Sequence, residues 1–362
     1  MNIEYLQRNL QKIILSPKNL FFRAINRPLK PRWLWFGVTD RCNSRCKHCD
    51  IWKQKPIENP LTPKEIEKAF SDPLFKDIEY VINSGGEAVL RSDLEEILLI
   101  EHKAFPKARL QLSTNGLLPD RVINVVQFAL DHGINLDVGV SLDGIGEQHD
   151  FVRGVKGNFE KADKLLHELL LLKEKYKECL HITIGFTLSN LTLPFLNGVR
   201  EYAKKLNVDF LVQWYNESSY YENVGKNLGA KNEKMLETVQ SLPTTILKEM
   251  WIKWLKGKSI KFPCFAMYTF FVLKCDGNIS PCLSLWHVNV GNVREKSPTE
   301  IWNSLKAKEA RKIVKNCQGC LNSWGTGWSF SSYALIPLFF YLKHPFVLFQ
   351  KISKKNIRAD GL

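Results

Sequence analysis

The sequence predicts an α/β protein whose six parallel strands form an open sheet or an incomplete barrel, followed by a small cysteine-bearing domain. Three observations carry this. Short β-type runs alternate with helical patterns between Trp33 and Trp214, the pattern changes beyond Trp214, and the cysteines fall into two groups, Cys42 to Cys49 and Cys264 to Cys320. With 362 residues, 44% hydrophobic and 24% charged, the chain is unlike a disordered, collagen-like or many-spanning membrane protein. Single cores stop growing at roughly 250 to 300 residues, so one large domain and one smaller one are expected.

Taken in order, residues 1–30 form a basic leader with a modest apolar stripe at Leu6, Leu10, Ile13 and Ile14. It lacks the uninterrupted apolar run of a secretory signal. Strands are expected at 33–39 (WLWFGVT), 79–83 (EYVIN), 109–113 (RLQLS), 135–142 (NLDVGVSL), 181–188 (HITIGFTL) and 209–214 (DFLVQW). Helices fill the gaps. Thr62-Pro63-Lys64-Glu65 is a start signal with a capping box, and Ser92 with Glu95 repeats the box. Further helices are expected at 120–131, 158–175 and 194–206, where apolar residues recur every three or four positions. Each crossover helix returns the chain to the same end of the sheet, so functional residues belong at the strands' C-terminal ends.

Residues 216–255 are tyrosine-rich and then helical; 268–282 reads as a hairpin turning at Asp276-Gly277, and Ser297-Pro298-Thr299-Glu300 starts another helix. The expected division is a basic arm over 1–30, a barrel or sheet domain over 31–215, a helical linker over 216–257, a small domain over 258–325 and an aromatic, basic tail over 326–362.

Lysine and arginine number 51 against 37 acidic residues, a net charge of +14 that implies an anionic surface or ligand. Nucleic acid is not expected, since no recognition module is present. Nine cysteines, an odd and clustered set, do not read as a disulfide scaffold. Metal-bound thiolates in a reducing cytoplasm are expected.

Cys42-Asn43-Ser44-Arg45-Cys46-Lys47-His48-Cys49 is C-x3-C-x2-C directly after the first strand. Three thiolates in a short loop hold an iron–sulfur cubane by three corners and leave one iron open for chemistry. A structural zinc loop, the alternative, wants four closed ligands.

Here the chain resembles the radical S-adenosylmethionine (SAM) enzymes, whose C-x3-C-x2-C loop follows the first strand of a partial (β/α)6 barrel. Ser84-Gly85-Gly86-Glu87 resembles the family motif that meets the amino group of SAM, with Ala88 where the family usually has proline. Leu112-Ser113-Thr114-Asn115-Gly116 and Val140-Ser141-Leu142-Asp143-Gly144 resemble the motifs near the ribose. His149 to Gly154 resembles the segment whose arginine, here Arg153, meets the cofactor carboxylate. The resemblance thus implies Gly85, Gly86, Glu87, Ser113, Asn115, Ser141 and Arg153 as SAM-binding residues and Cys42, Cys46 and Cys49 as ligands of a 4Fe-4S cluster. It also implies reductive cleavage of SAM to a 5'-deoxyadenosyl radical that abstracts a substrate hydrogen, with a reductant such as flavodoxin or ferredoxin.

Cys264, followed by twelve residues, Gly277, four residues and Cys282, and later by Cys317-Gln318-Gly319-Cys320, resembles the auxiliary-cluster domain of the SPASM and twitch subfamily. The resemblance implies a second 4Fe-4S cluster on Cys264, Cys282, Cys317 and Cys320, and the absence of cysteine after Cys320 makes the shorter twitch type the nearer match. Four thiolates also suit zinc. Cys275 reads as a packed free thiol or a replacement for Cys264, and Cys179 as core.

An auxiliary cluster with every corner ligated implies electron transfer, hence oxidation or dehydrogenation of a small-molecule or lipid-linked substrate. Peptide modification is the alternative within the family, and a non-catalytic zinc-stabilised binding protein is the alternative outside it. For the basic leader and the aromatic run 333–349, packing against the barrel is one reading. Peripheral contact with the inner face of a membrane is the other.

Overall fold

The computed structural model describes residues 3–317, 320–333 and 335–347. The expected stripe residues Leu6, Leu10 and Ile13 lie outside the described side chains, as does the tail beyond 347. Six parallel strands form a partial barrel: β1 (Trp33–Thr39), β2 (Tyr80–Gly85), β3 (Arg109–Thr114), β4 (Leu136–Ser141), β5 (Leu180–Leu188) and β6 (Asp209–Trp214). Their spatial order, β6-β5-β4-β3-β2-β1, follows the sequence, each strand lying beside its predecessor.

The helices are α1 (Ile3–Ala24), α2 (Pro63–Phe70), α3 (Leu94–Ala104), α4 (Pro119–Asp131), α5 (Glu147–Arg153), α6 (Asn158–Tyr176) and α7 (Leu196–Lys205) through the barrel. Then come α8 (Glu233–Ser241), α9 (Ile246–Leu255), α10 (Pro298–Asn303), α11 (Leu305–Lys315), α12 (Ser323–Ser332) and α13 (Leu335–Lys343).

Parallel strands are covered on both faces, so β1 is an apolar run, whereas β3 (RLQLST) alternates, with its polar residues on the inner face. Leu34, Phe36, Val81, Leu110, Leu112, Val138 and Ile182 form the outer core with the helices. Trp33, Trp35, Tyr80 and Ile82 point the other way and pack with Tyr220, Phe270 and Trp328.

The capping boxes at Thr62/Glu65 and Ser297/Glu300 form as the sequence predicts. The one expected at Ser92/Glu95 does not. Helix α3 starts one residue later, after Asp93; there Arg121 holds both oxygens of Glu95 and Arg91 those of Asp93.

The C-terminal region is not a detached unit. Strand β7 (Phe270–Leu273) lies parallel to β1, with Trp33 opposite Phe270 and Phe36 opposite Leu273, and β8 (Asn278–Ser280) and β9 (Gly291–Asn292) continue antiparallel, making one nine-stranded sheet. The β7–β8 turn is the expected one, with Gly277 at φ +88°. Arg294 pairs with Glu65 on α2 at 2.6 Å. Helix α12 runs across the expected start of the tail at residue 326. Its Trp328 stacks on Trp33, ring centroids 6.3 Å apart, so this part of the tail packs inside the barrel.

Candidate active site

The loop after β1 is held from three sides. Gly86 N donates to Thr39 O (2.9 Å) and Glu87 N to Arg41 O (2.8 Å), so the turn after β2 grips the chain just before Cys42. A Cβ on Gly85, whose φ is +138°, would lie 1.9 Å from Thr39 O, and one on Gly86 would lie 2.1 Å from Arg41 O. Only glycine fits either position. From the other side, Arg45 N donates to Arg153 O and Lys47 N to Val152 O, tying the loop to the end of α5. Asn115 Nδ2 donates to Asn43 Oδ1 at 2.8 Å, which joins the loop to the end of β3.

These contacts bring all ten residues expected at the first site onto one cavity of ≈ 180 Å³. Cys42, Cys46, Cys49, Gly85, Gly86, Glu87, Ser113, Asn115, Ser141 and Arg153 all line it. Glu87 is buried and accepts from Thr114 Oγ1 and Asn115 N, each at 2.7 Å. Burial nevertheless pushes its carboxyl up to about 7. A cation placed beside it would favour its ionised form.

Arg153 is also buried. Its Nη2 pairs with Asp143 Oδ2 at 2.7 Å and its Nη1 lies 3.7 Å from Cys46 Sγ. Burial alone would raise the Asp143 carboxyl, but Arg153 and His48 outweigh it and hold it low. His48 shows the opposite effect: burial lowers it to about 4, against the pull of Asp143. One positive charge therefore stays next to the thiols.

Burial pushes Cys42 up to about 11 and Cys49 to about 12, so thiolate formation there requires a cation to bind with it. In the C-terminal region the same holds for Cys320, pushed to about 12, and for Cys282.

Cys264, Cys282, Cys317 and Cys320 line a second, larger cavity of ≈ 950 Å³. Cys275 is not among its lining residues; it is buried at the end of β7, where its carbonyl accepts from Leu61 N. Cys179 packs half-buried against the outer core, as expected. The donor set of three thiols in an open loop and four around one cavity fits one open and one fully ligated iron–sulfur cluster.

Several residues of the site carry no local signal in the sequence. Tyr220 OH donates to Gly85 O (2.6 Å), and Asn223 Nδ2 donates to both His48 O and Asn216 O, fastening the 216–223 segment over the loop. Trp324 of α12 lines both cavities, as do Trp214, Tyr215, Asn216 and Asn322. The tyrosine-rich run and the place of Gln213 and Tyr215 at the end of β6, near the expected barrel mouth, were the available hints, and both residues line the first cavity. Asp143 sits inside a motif that sequence reasoning used only for Ser141.

Comparison with known proteins agrees with this geometry. A family model described as the radical SAM superfamily matches residues 37–192, and one described as an iron-sulfur cluster-binding (SPASM) domain matches 264–321. The chain belongs to the radical SAM superfamily. Within it, this is a radical SAM enzyme with a SPASM auxiliary domain, and its cofactors are the radical SAM 4Fe-4S cluster, SAM and an auxiliary iron–sulfur cluster.

Among its relatives is the Fe-coproporphyrin III synthase of Methanosarcina barkeri, 29% identical over 312 residues, 76% of this chain and 74% of that protein. Another is the sporulation killing factor maturation protein SkfB of Bacillus subtilis, 22% identical over 298 residues, 78% and 67% of the two chains. The solved structure of native anSMEcpe with bound AdoMet and Kp18Cys peptide shares the fold, with a TM-score of 0.61, 18% identity and coverage of 88% of this chain and 98% of that one.

Proposed function

We propose that this enzyme oxidises or dehydrogenates a small-molecule or lipid-linked substrate held between two cysteine sites. One observation carries the reading: Trp214, Tyr215, Asn216, Asn322 and Trp324 form a wall common to the cavity of Cys42, Cys46 and Cys49 and the cavity of Cys264, Cys282, Cys317 and Cys320. In this reading residues 31–215 form the barrel, 216–257 the linker and 258–325 the auxiliary domain.

Cys42, Cys46 and Cys49 hold the open cluster, and the four C-terminal thiols hold the auxiliary one. Glu87, already oriented by Thr114 and Asn115, takes the ammonium of SAM; Gly85 and Gly86 allow the close approach. Ser113, Asn115 and Ser141 line the nucleoside side, and Arg153, fixed by Asp143, faces the cofactor carboxylate. When bound, these groups together supply hydrogen-atom abstraction and a sink for a second electron, a net two-electron oxidation, after reduction by a donor such as flavodoxin or ferredoxin. The chain's own part is to exclude water: Trp33, Trp35, Tyr220, Trp286 and Trp328 close the barrel beside the site with packed rings.

Anaerobic reconstitution is expected to give about eight irons per chain, and dithionite with SAM to release 5'-deoxyadenosine, which Cys46→Ala abolishes. Zinc without iron, or unchanged release by Cys46→Ala, would overturn the reading. A second reading, peptide modification, is favoured by the maturation protein SkfB among the relatives. Deuterium transfer into 5'-deoxyadenosine from a labelled candidate peptide, rather than from a labelled small molecule, would select it.

A further inference from the structure

The +14 charge is not spread along the chain. Residues 1–32, 246–262 and 335–362 hold seventeen Lys or Arg against three Asp or Glu, a balance equal to that of the whole protein, and the remaining residues are neutral overall. Structured parts of these three segments pack together. Helix α1 touches α12 and α13. Asn19 Nδ2 donates to Ser332 O (2.9 Å), and Arg23 Nε to Cys264 O (2.8 Å). Helix α9 joins through Ile246 and Met250, buried with Phe330 and Phe340, and through Glu249, which accepts from Lys343 and meets His344 at 2.7 Å.

Apolar side chains are left uncovered on α1 and around α13. Ile14, Phe21 and Ile25 fall along one face of α1 and its extension, 67%, 61% and 53% exposed. Phe339 and Leu342 of α13 and Phe346 just beyond it are each 68% exposed. With Leu15 these are seven of the thirteen large exposed apolar side chains among the described residues, and the other six are scattered. Lys18 stands exposed between Ile14 and Phe21, and Arg27, Lys30 and Lys343 are exposed beside the same segments. The sequence then adds Lys351, Lys354, Lys355 and Arg358 directly after the aromatic run.

We propose that α1 and α13 form a docking surface for an anionic lipid bilayer, independently of which substrate the enzyme oxidises. Phe339, Leu342 and Phe346 enter the acyl boundary while the surrounding lysines and arginines meet the headgroups. Two features select this occupant. The uncovered residues project from helix faces, as interfacial helices present them, and the cations around them exceed the anions several-fold. Among the described residues no helix is long and apolar enough to cross a membrane, so attachment is to one leaflet.

The test is co-sedimentation of the full-length holoenzyme with phosphatidylcholine vesicles, with and without phosphatidylglycerol. Expected is pelleting with the anionic vesicles that weakens as salt rises. The triple variant Phe339→Ser/Leu342→Ser/Phe346→Ser should lose about tenfold or more of that partitioning, while keeping the parent's iron content and melting temperature. Lys18→Gln/Lys30→Gln, which alters only exposed side chains, should weaken binding to the anionic vesicles alone. Absence of pelleting with anionic vesicles would overturn the proposal, as would equal partitioning of the parent and a folded triple variant. So would a parent dimer that the triple variant renders monomeric without any change in lipid binding, since the patch would then belong to a second copy.

Discussion

Gly86→Ala tests how the two halves of the first site are joined. An added Cβ would stand 2.1 Å from Arg41 O, 2.5 Å from Arg41 C and 2.8 Å from Asp40 O, where ordinary contact begins at 3.4 Å. The turn after β2 and the loop before Cys42 must therefore part by more than 1 Å. That separation lengthens two short backbone bonds, Gly86 N to Thr39 O (2.9 Å) and Glu87 N to Arg41 O (2.8 Å). Each contributes about 1 kcal/mol net and costs more when its groups are left buried and unpaired, so the expected loss is about 2–4 kcal/mol. Strand pairing between Trp33 and Gly37 of β1 and β2 lies outside the disturbed turn, so the variant folds. Urea unfolding of the apoprotein reads the loss, and iron analysis should show the first cluster's share missing. Gly133→Ala is the control, because its Cβ meets nothing within 4 Å and only the positive φ penalises it. A Gly86→Ala protein with the parent's urea midpoint and about eight irons would refute the reasoning.

Two further outcomes follow from the buried thiols and carboxyls. Cys275→Ser should retain the full iron content, whereas Cys282→Ala should lose about four irons; the reverse pattern would reassign the auxiliary ligands. Glu101 is wholly buried with Asn83 Nδ2 as its donor, and burial pushes its carboxyl up to about 8. The folded protein then binds that proton more tightly than the unfolded chain. The stabilisation is complete below the ordinary carboxyl range and is lost as pH rises through about 8. Glu87 acts in the same direction. The urea midpoint of the apoprotein should fall over that range and fall less in Glu101→Gln; an equal slope in both proteins would exclude Glu101 as a source.

What could be read from the sequence was what local pattern encodes. Most of the barrel strands read from their apolar runs, with Arg109–Thr114 alternating instead, and Thr62 and Ser297 cap because each is followed three residues on by a Glu whose side chain accepts from the cap backbone. At Ser92 the box does not form: the helix begins after Asp93 and Glu95 pairs with Arg121, twenty-six residues away, a partner that no local pattern reveals. The cysteine spacing and the Gly-Gly-Glu turn marked the first site, since each does its work within a few residues. Tyr220, Asn223 and Trp324 reach that site from more than 130 residues downstream, through tertiary packing alone. The pairing of β7 with β1 was equally silent, because a parallel strand carries no mark of which edge it will join. The basic leader reads as an arm by composition, yet most of it is helix α1 packed on α12.

That β7–β1 pairing has a bearing on how variants of this enzyme can arise. The stretch between the two cysteine sets, 216–257, joins them along the chain, but their spacing in space is set by four opposed residue pairs, from Trp33–Phe270 to Phe36–Leu273. Within that stretch Tyr220 and Asn223 also hold residues 216–223 against the first cysteine loop. Shifting β7 by two residues along β1 would preserve which side chains face inward and still displace Cys282 relative to Cys46 by two strand rises, about 7 Å. A register change within the shared sheet therefore moves one cysteine set against the other, whereas substitutions in the cavity walls leave that spacing unchanged.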